Sequence, residues 1–134
     1  MNGRVAYLDT SAFVKLIVAE AESGALRRRL RDWPRRASAT LLRTETVRAL
    51  RCAGYDDDVI GQARRLFGGL ILVRIDEPLL DRAGDLGARH MRTLDAVHLA
   101  AALSIGPDLG VVVTYDDRLG EAARRHGLDV EGPS

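Results

Sequence analysis

Short apolar segments alternate along this chain with longer stretches whose apolar residues recur at helical spacing. Arg4–Leu8 reads as a short buried strand that stops at Asp9, where Thr10 and Ser11 supply N-cap residues. Phe13, Leu16 and Ile17 then follow the helical period. A second helix runs from Glu22 to Arg31, with Leu26 and Leu30 on one side and Arg27, Arg28, Arg29 and Arg31 around the rest; Trp33-Pro34 ends it. Arg36–Ala39 is a short strand. A third helix spans Thr40–Ala53 and stops at Gly54. Asp56-Asp57-Asp58 opens a fourth, carrying Val59, Ile60, Ala63, Leu66 and Phe67. Leu70–Ile75 is the clearest strand, and Pro78 lies in the first turn of the helix after it. Thr93 caps a largely apolar helix, Leu94–Ile105, closed by Gly106-Pro107. Val111–Thr114 is a strand, Asp116-Asp117 start a last helix ending at His126-Gly127, and Leu128–Val130 is a fifth short strand.

Strands alternating with helices predict an α/β fold with a parallel sheet covered on both faces. Such open sheets place their sites outside the carboxyl ends of the strands, at a topological switch point. Asp9 follows the first strand directly, and Asp116 closely follows Val111–Thr114. If those two strands are neighbours, both carboxylates meet at one crevice.

Composition narrows the setting. The 134 residues, 46% hydrophobic and 29% charged, describe a folded single domain over residues 1–134 and exclude global disorder. A core can form, because a chain of this size buries roughly two thirds of its unfolded surface. The longest apolar runs, such as Leu70–Val73 and Leu99–Leu103, fall far short of the roughly 20 residues of a membrane span. The N-terminus lacks the apolar stretch of a signal peptide, and Cys52 stands alone, so the expected setting is cytoplasmic without an intramolecular disulfide. A net charge of +1 provides no global field toward nucleic acid or lipid. Three histidines (His90, His98, His126) and one cysteine offer little for a zinc site.

Four carboxylates carry the chemistry. Asp9 and Asp116 each have a plain reading as helix caps, and Asp95, in the first turn of its helix, as an acid favoured by the helix dipole. Glu45 lies on an apolar stripe marked by Leu42, Ala49 and Cys52, where a glutamate needs a partner, an arginine or a metal, unless it reaches solvent at the stripe's edge. Together the acids weigh more than separately. Two carboxylates about 4 Å apart repel by roughly 4 kcal/mol at an effective dielectric near 20. A cluster of them must be protonated, spread apart or bridged by a cation. Oxygen-only ligands select a hard ion, Mg²⁺ or Mn²⁺. Such an ion can activate a water and neutralise a phosphoryl oxygen, which points to phosphodiester hydrolysis.

Tyr7-Leu8-Asp9-Thr10-Ser11-Ala12, Glu45 in a helix, Thr93-Leu94-Asp95-Ala96-Val97-His98-Leu99-Ala100 and Val113-Thr114-Tyr115-Asp116 occur in this order. In that combination the chain resembles the PIN-domain family, and within it the VapC toxins of bacterial toxin–antitoxin pairs, over essentially its whole length. The resemblance implies a PIN-like three-layer α/β/α sandwich around a five-stranded parallel sheet, and a Mg²⁺-dependent endoribonuclease. The family's four acidic positions match Asp9, Glu45, Asp95 and Asp116. Asp9 and Asp95 would be direct metal ligands, and Glu45 and Asp116 would complete the site through the ion, its waters or a second ion. Asp117 is the alternative to Asp116 if the strand ends one residue later. Ser11 matches a polar position that orients the first acid. A homodimer and a small antitoxin that obstructs the site are implied too.

Other readings fare worse. A receiver domain needs a lysine after a late strand, whereas the only lysine, Lys15, follows the first. A dinucleotide-binding domain needs a Gly-x-Gly-x-x-Gly turn where Asp9-Thr10-Ser11 stands. The serious alternative is a catalytically silent PIN-like module that binds RNA or protein. His98, three residues after Asp95, reads as a histidine satisfied in the core or beside the acids rather than as a general base. Arg27, Arg28, Arg29, Arg31, Arg35 and Arg36 are candidates for RNA phosphates, with a solvated or antitoxin-binding face as the equal reading. Trp33 and Tyr55 are too few for a stacking platform.

Overall fold

A computed structural model describes residues 3–87 and 91–134; His90 lies outside the described residues. The elements run β1 (Val5–Leu8), α1 (Thr10–Val14), α2 (Ser23–Leu30), β2 (Arg35–Ala39), α3 (Leu42–Cys52), α4 (Asp57–Phe67), β3 (Ile71–Val73), α5 (Glu77–Asp85), α6 (Thr93–Ser104), β4 (Leu109–Val113), α7 (Asp117–Arg125) and β5 (Val130–Glu131). The strands form one sheet in the order β3-β2-β1-β4-β5, and every neighbouring pair is parallel. This is the expected three-layer α/β/α sandwich.

Period-two alternation divides the core. Val5 and Tyr7 of β1 join Val112 of β4 against Leu99, Ala101 and Leu119, under α6 and α7. Ala6 and Leu8 turn the other way, with Val111 and Val113, toward Leu26, Leu30 and Trp33 of the α2 segment. Both faces of β1 and β4 are therefore apolar without interruption, as a doubly covered parallel sheet requires. Two smaller clusters, around Leu50, Ile60 and Ala63 and around Phe13, Leu42 and Phe67, fasten α3 and α4 onto α1.

Chain direction reverses its lateral progress at β1. The chain builds β2 and β3 on one side of it, then β4 and β5 on the other. The switch point therefore lies between β1 and β4, and the condition for bringing Asp9 and Asp116 together, that their strands be neighbours, is met.

Several boundaries differ from expectation. Asp9, not Thr10 or Ser11, is the N-cap of α1; it keeps extended backbone and its side chain accepts from the Ala12 amide. Thr93 is the first residue of α6, and Arg92 precedes it with no side-chain cap bond. β3 is three residues rather than the expected Leu70–Ile75, because its partner β2 ends at Ala39 opposite Val73, leaving Arg74 and Ile75 nothing to pair with. As an edge strand it leaves Ile71 47% exposed. β5 starts later than Leu128, since Leu128 is still bonded back to Ala123 behind Gly127, whose φ of 77° is the left-handed turn that ends α7.

Trp33 packs against β4. A Cβ placed on Gly110 would lie 2.3 Å from one ring carbon of Trp33 and 2.5 Å from another. The glycine is what allows a buried indole to cover that strand. Gly110→Ala is expected to displace the ring and lower stability by about 1–3 kcal/mol, the usual cost of overpacking. Urea unfolding followed by emission of the single tryptophan reads both consequences; an unchanged midpoint and spectrum would overturn the assignment.

Candidate active site

Asp9 ends β1 inside the switch-point crevice and is only 5% exposed. Its Oδ1 accepts from Ser11 Oγ at 2.7 Å and from the Ala12 amide at 3.1 Å, and its Oδ2 accepts from Thr114 Oγ1 at 2.6 Å. Burial pushes its carboxyl above the ordinary value, and these three donors pull against that. The helix-cap reading of Asp9 is thus realised, in a side chain whose second oxygen is held from β4's end by Thr114.

Thr114 is the residue the sequence reading passed over. It ends β4 beside Asp9, because β1 and β4 pair in register through Leu8 and Val113. Besides bonding Asp9, its Oγ1 accepts from the Asp116 amide at 3.0 Å. Ser11 Oγ in turn accepts from the Tyr115 amide at 2.9 Å. The available signal was a hydroxyl at the end of the apolar run Val111-Val112-Val113.

Glu45 departs from expectation in its surroundings. Ala49 and Cys52 are exposed, and the buried stripe of α3 is Leu42, Thr46 and Leu50, spaced by four. Glu45 stands at the margin of that stripe with its side chain 20% exposed. Its partner is neither an arginine nor solvent alone. Oε1 lies 2.6 Å from His98 Nε2 and accepts from Thr10 Oγ1 at 2.8 Å. Burial would raise its carboxyl, but His98, by hydrogen bond and by charge, and Thr10 bring it below the ordinary value. His98 is 3% exposed, and its other nitrogen, Nδ1, lies 2.6 Å from the Tyr7 hydroxyl. Tyr7 faces this layer because it occupies the inward position of β1, and burial pushes its phenol far up, so it stays protonated.

Asp95, in the first turn of α6, is 8% exposed, and its Oδ2 is buried with no hydrogen-bond partner. Its carboxyl is raised first by burial, then by the charge of Asp116, with Asp9 adding to it; Arg92 and His98 pull the other way. Asp116 is the N-cap of α7, its Oδ1 accepting from the amides of Arg118 and Leu119. Asp117 is the exposed first residue of that helix, so the carboxylate acting on Asp95 from this loop is Asp116.

Asp9, Asp95 and Asp116 therefore share one electrostatic neighbourhood at the ends of β1 and β4. Glu45 reaches it from the side through His98. Among the described residues, no three His, Cys, Asp or Glu side chains form a ready-made metal cage. The donor set nevertheless suits a hard divalent cation that keeps waters: oxygen ligands only, and a buried Asp95 oxygen with no hydrogen-bond partner in a carboxylate that feels the charges of Asp116 and Asp9.

The arginines are largely engaged elsewhere. Arg36 donates to the carbonyls of Trp33 and Leu30, Arg35 to Gly3, and Arg27 to Leu16. Arg29 grips Glu131 of β5 through Nε and Nη2 and also pairs with Asp32. Arg28 and Arg31 are exposed around α2. No helix among the described residues is long and apolar enough to cross a membrane.

Comparison with known proteins places this geometry. The PIN domain model matches residues 6–125. Ribonuclease VapC46 of Mycobacterium tuberculosis (strain ATCC 25618 / H37Rv) is 49% identical over 128 residues, covering 96% of this chain and 97% of that protein. Ribonuclease VapC47 of Mycobacterium tuberculosis (strain CDC 1551 / Oshkosh) is 37% identical over 131 residues, covering 95% and 96%. Among solved structures, Mycobacterium tuberculosis VapC20, described as a sarcin-ricin loop cleaving toxin, superposes with a TM-score of 0.74 at 20% identity, over 96% of this chain and 99% of that one. A toxin–antitoxin complex from Klebsiella pneumoniae gives 0.72 at 17% identity, over 96% and 98%. The solved structures speak for the fold, and the curated relatives for the branch: this chain belongs to the PIN-domain family, among the VapC ribonucleases.

Proposed function

We propose that this protein is a divalent-cation-dependent endoribonuclease, the toxin of a toxin–antitoxin pair, acting in the cytoplasm as a homodimer with Mg²⁺ or Mn²⁺. The observation that carries the reading is the buried Asp95 oxygen without a hydrogen-bond partner, in a carboxylate whose ionisation is opposed by burial and by the charges of Asp116 and Asp9. The names of the relatives, ribonucleases and a toxin–antitoxin complex, support the substrate class and a small antitoxin as partner.

Asp9 and Asp95 would hold the cation, with Glu45 and Asp116 completing the site. When bound, the ion supplies a more acidic water and a counter-charge for the phosphoryl oxygen. The chain's own residues do the rest. Thr114 and Ser11 hold both oxygens of Asp9 in fixed directions, so little reorganisation is needed when the site fills. Thr10 and His98 keep Glu45 ionised and turned toward the crevice. In the hydrolysis, water oxygen bonds to phosphorus, one ribose P–O bond breaks, and the departing oxygen gains a proton.

Purified protein should cut an RNA pool with Mg²⁺ or Mn²⁺ and stop with EDTA. Asp9→Asn and Asp95→Asn should each reduce cutting by at least about 100-fold, the scale of losing a group that stabilises transition-state charge. RNA retained on the protein but uncut under every metal condition would favour the silent module instead.

A stability prediction follows from the raised carboxyls of Asp9 and Asp95. A group whose folded-state value is raised contributes stability below its unfolded value, near 4, and loses it as pH climbs through the raised one. In the metal-free wild type the contribution of these two carboxyls should therefore fall as pH rises above about 4. Asp95→Asn should melt higher than wild type at pH 7 by roughly 3–6 °C, equivalent to about 1 kcal/mol, and the gap should close near pH 4. Added Mg²⁺ should stabilise wild type more than the variant. Calorimetric melting across pH checks this; a variant less stable at pH 7 without metal would contradict it.

A further inference from the structure

Beyond helping to keep Glu45 ionised, one buried group beside the site is held at both ends. His98 lies between Tyr7 of β1 and Glu45 of α3, bonded on both ring nitrogens, and bridges the inner layer of the sheet to the margin of the crevice. Its edge meets the Tyr7 ring at 75°, with centroids 5.8 Å apart, so packing fixes the imidazole plane as well as its ends. The tautomer follows from the network. Glu45 Oε1 already accepts from Thr10, and a carboxylate has no proton to give, so His98 Nε2 must carry the hydrogen toward it. Whenever the ring is neutral, Nδ1 is an acceptor and the Tyr7 phenol is its donor; the Nε2–H toward Glu45 is present in either charge state of the ring.

We infer that His98 is a positioning residue for Glu45: Tyr7 locks the Nε2–H tautomer, and that N–H, with Thr10, occupies Oε1 and leaves Oε2 to the crevice. The inference rests on the divalent-cation nuclease reading for its consequence, not for its geometry. Three features favour it over simple core packing. Both bonds are 2.6 Å long, the ring is 3% exposed, and the two donors to Glu45 converge on a single oxygen. A hydrocarbon of the same volume would fill the space, but it would leave the Tyr7 hydroxyl buried without its His98 partner and Glu45 free to rotate. Partners of this outer kind typically govern ligand orientation at about 10- to 100-fold in metal affinity or activity.

The tautomer can be read without metal or RNA. Imidazole ¹⁵N resonances of the metal-free protein should show His98 as a single Nε2–H form, and Tyr7→Phe should release it into a mixture. A dominant Nδ1–H form in wild type would overturn the inference even if the protein cuts RNA. Functionally, His98→Gln retains an amide donor near the Nε2 position, whereas His98→Asn places its amide near Nδ1. Isothermal titration with Mn²⁺ and steady-state kinetics should show His98→Asn losing at least 10-fold in metal affinity or kcat with KM for RNA little changed, and His98→Gln recovering much of the loss. Equal impairment of the two variants would reduce His98 to packing and overturn the assignment. If the two His98 variants fail to fold, the wild-type and Tyr7→Phe spectra still decide it. A wild type that binds no divalent ion and cuts no RNA would defeat the nuclease reading while leaving the tautomer result to stand or fall alone.

Discussion

Parallel pairing of β1 with β4 brings the two halves of the chain's acidic chemistry to one place. Leu8 and Val113 pair at the end of the two strands, and the next residues, Asp9 and Thr114, bond through their side chains across the gap. The Asp9 amide continues the stitching by donating to the Val113 carbonyl. Nothing local could bring positions 9 and 114 together; only a crossover that returns the late chain to the free side of β1 does so. Once that pairing exists, the loop after β4 is fixed by the same few atoms. Thr114 Oγ1 holds the Asp116 amide, and Ser11 Oγ holds that of Tyr115.

That arrangement concentrates negative charge where water is scarce. Burial is the largest influence on both Asp9 and Asp95, and it acts in the same direction on each. The fold offsets it unequally. Asp9 receives donors on both oxygens, whereas Asp95 keeps one oxygen with none. An orphaned buried oxygen costs about 1–3 kcal/mol or more when charged. The Asp95 oxygen lies in the first turn of a largely apolar helix, with no donor to offset its burial. Glu45 shows the opposite solution: its carboxyl sits low because His98 and Thr10 satisfy it.

Legibility in the sequence followed the range of the interaction concerned. Strands and helices set by periodicity were readable from local pattern, whereas the adjacency of β1 and β4 stood only as a condition, because no local pattern fixes strand order. Ends set by partners were not readable either. β3 is cut short by the length of β2, and β5 begins late because Gly127 holds Leu128 to α7. The same division holds in the site. Asp9, Asp95 and Asp116 stood out as acids at element boundaries. Glu45 was noticed on a stripe that the structure draws differently, and its partner could not be guessed, since Tyr7 and His98 are 91 positions apart and His98 and Glu45 are 53.

The arginines show why composition misleads where pairing does not. A run of basic residues on and after α2 suggests a phosphate-binding face, yet Arg36 closes the carbonyls at the end of α2 and Arg29 clamps the last strand. Guanidinium forks suit such work because one planar group can satisfy two acceptors. The sole lysine does a related job: Lys15 bridges Glu20 and Glu22 and lies 4.8 Å over the Tyr115 ring, joining the segment after α1 to the loop that carries Asp116. Tyr115 is held from its far end too, its hydroxyl donating to the Pro133 carbonyl. Among the described residues, Arg29, Arg36 and Lys15 thus brace the frame around these carboxylates. A frame of that kind resists the relaxation by which the mutually repelling carboxylates of Asp9, Asp95 and Asp116 would move apart.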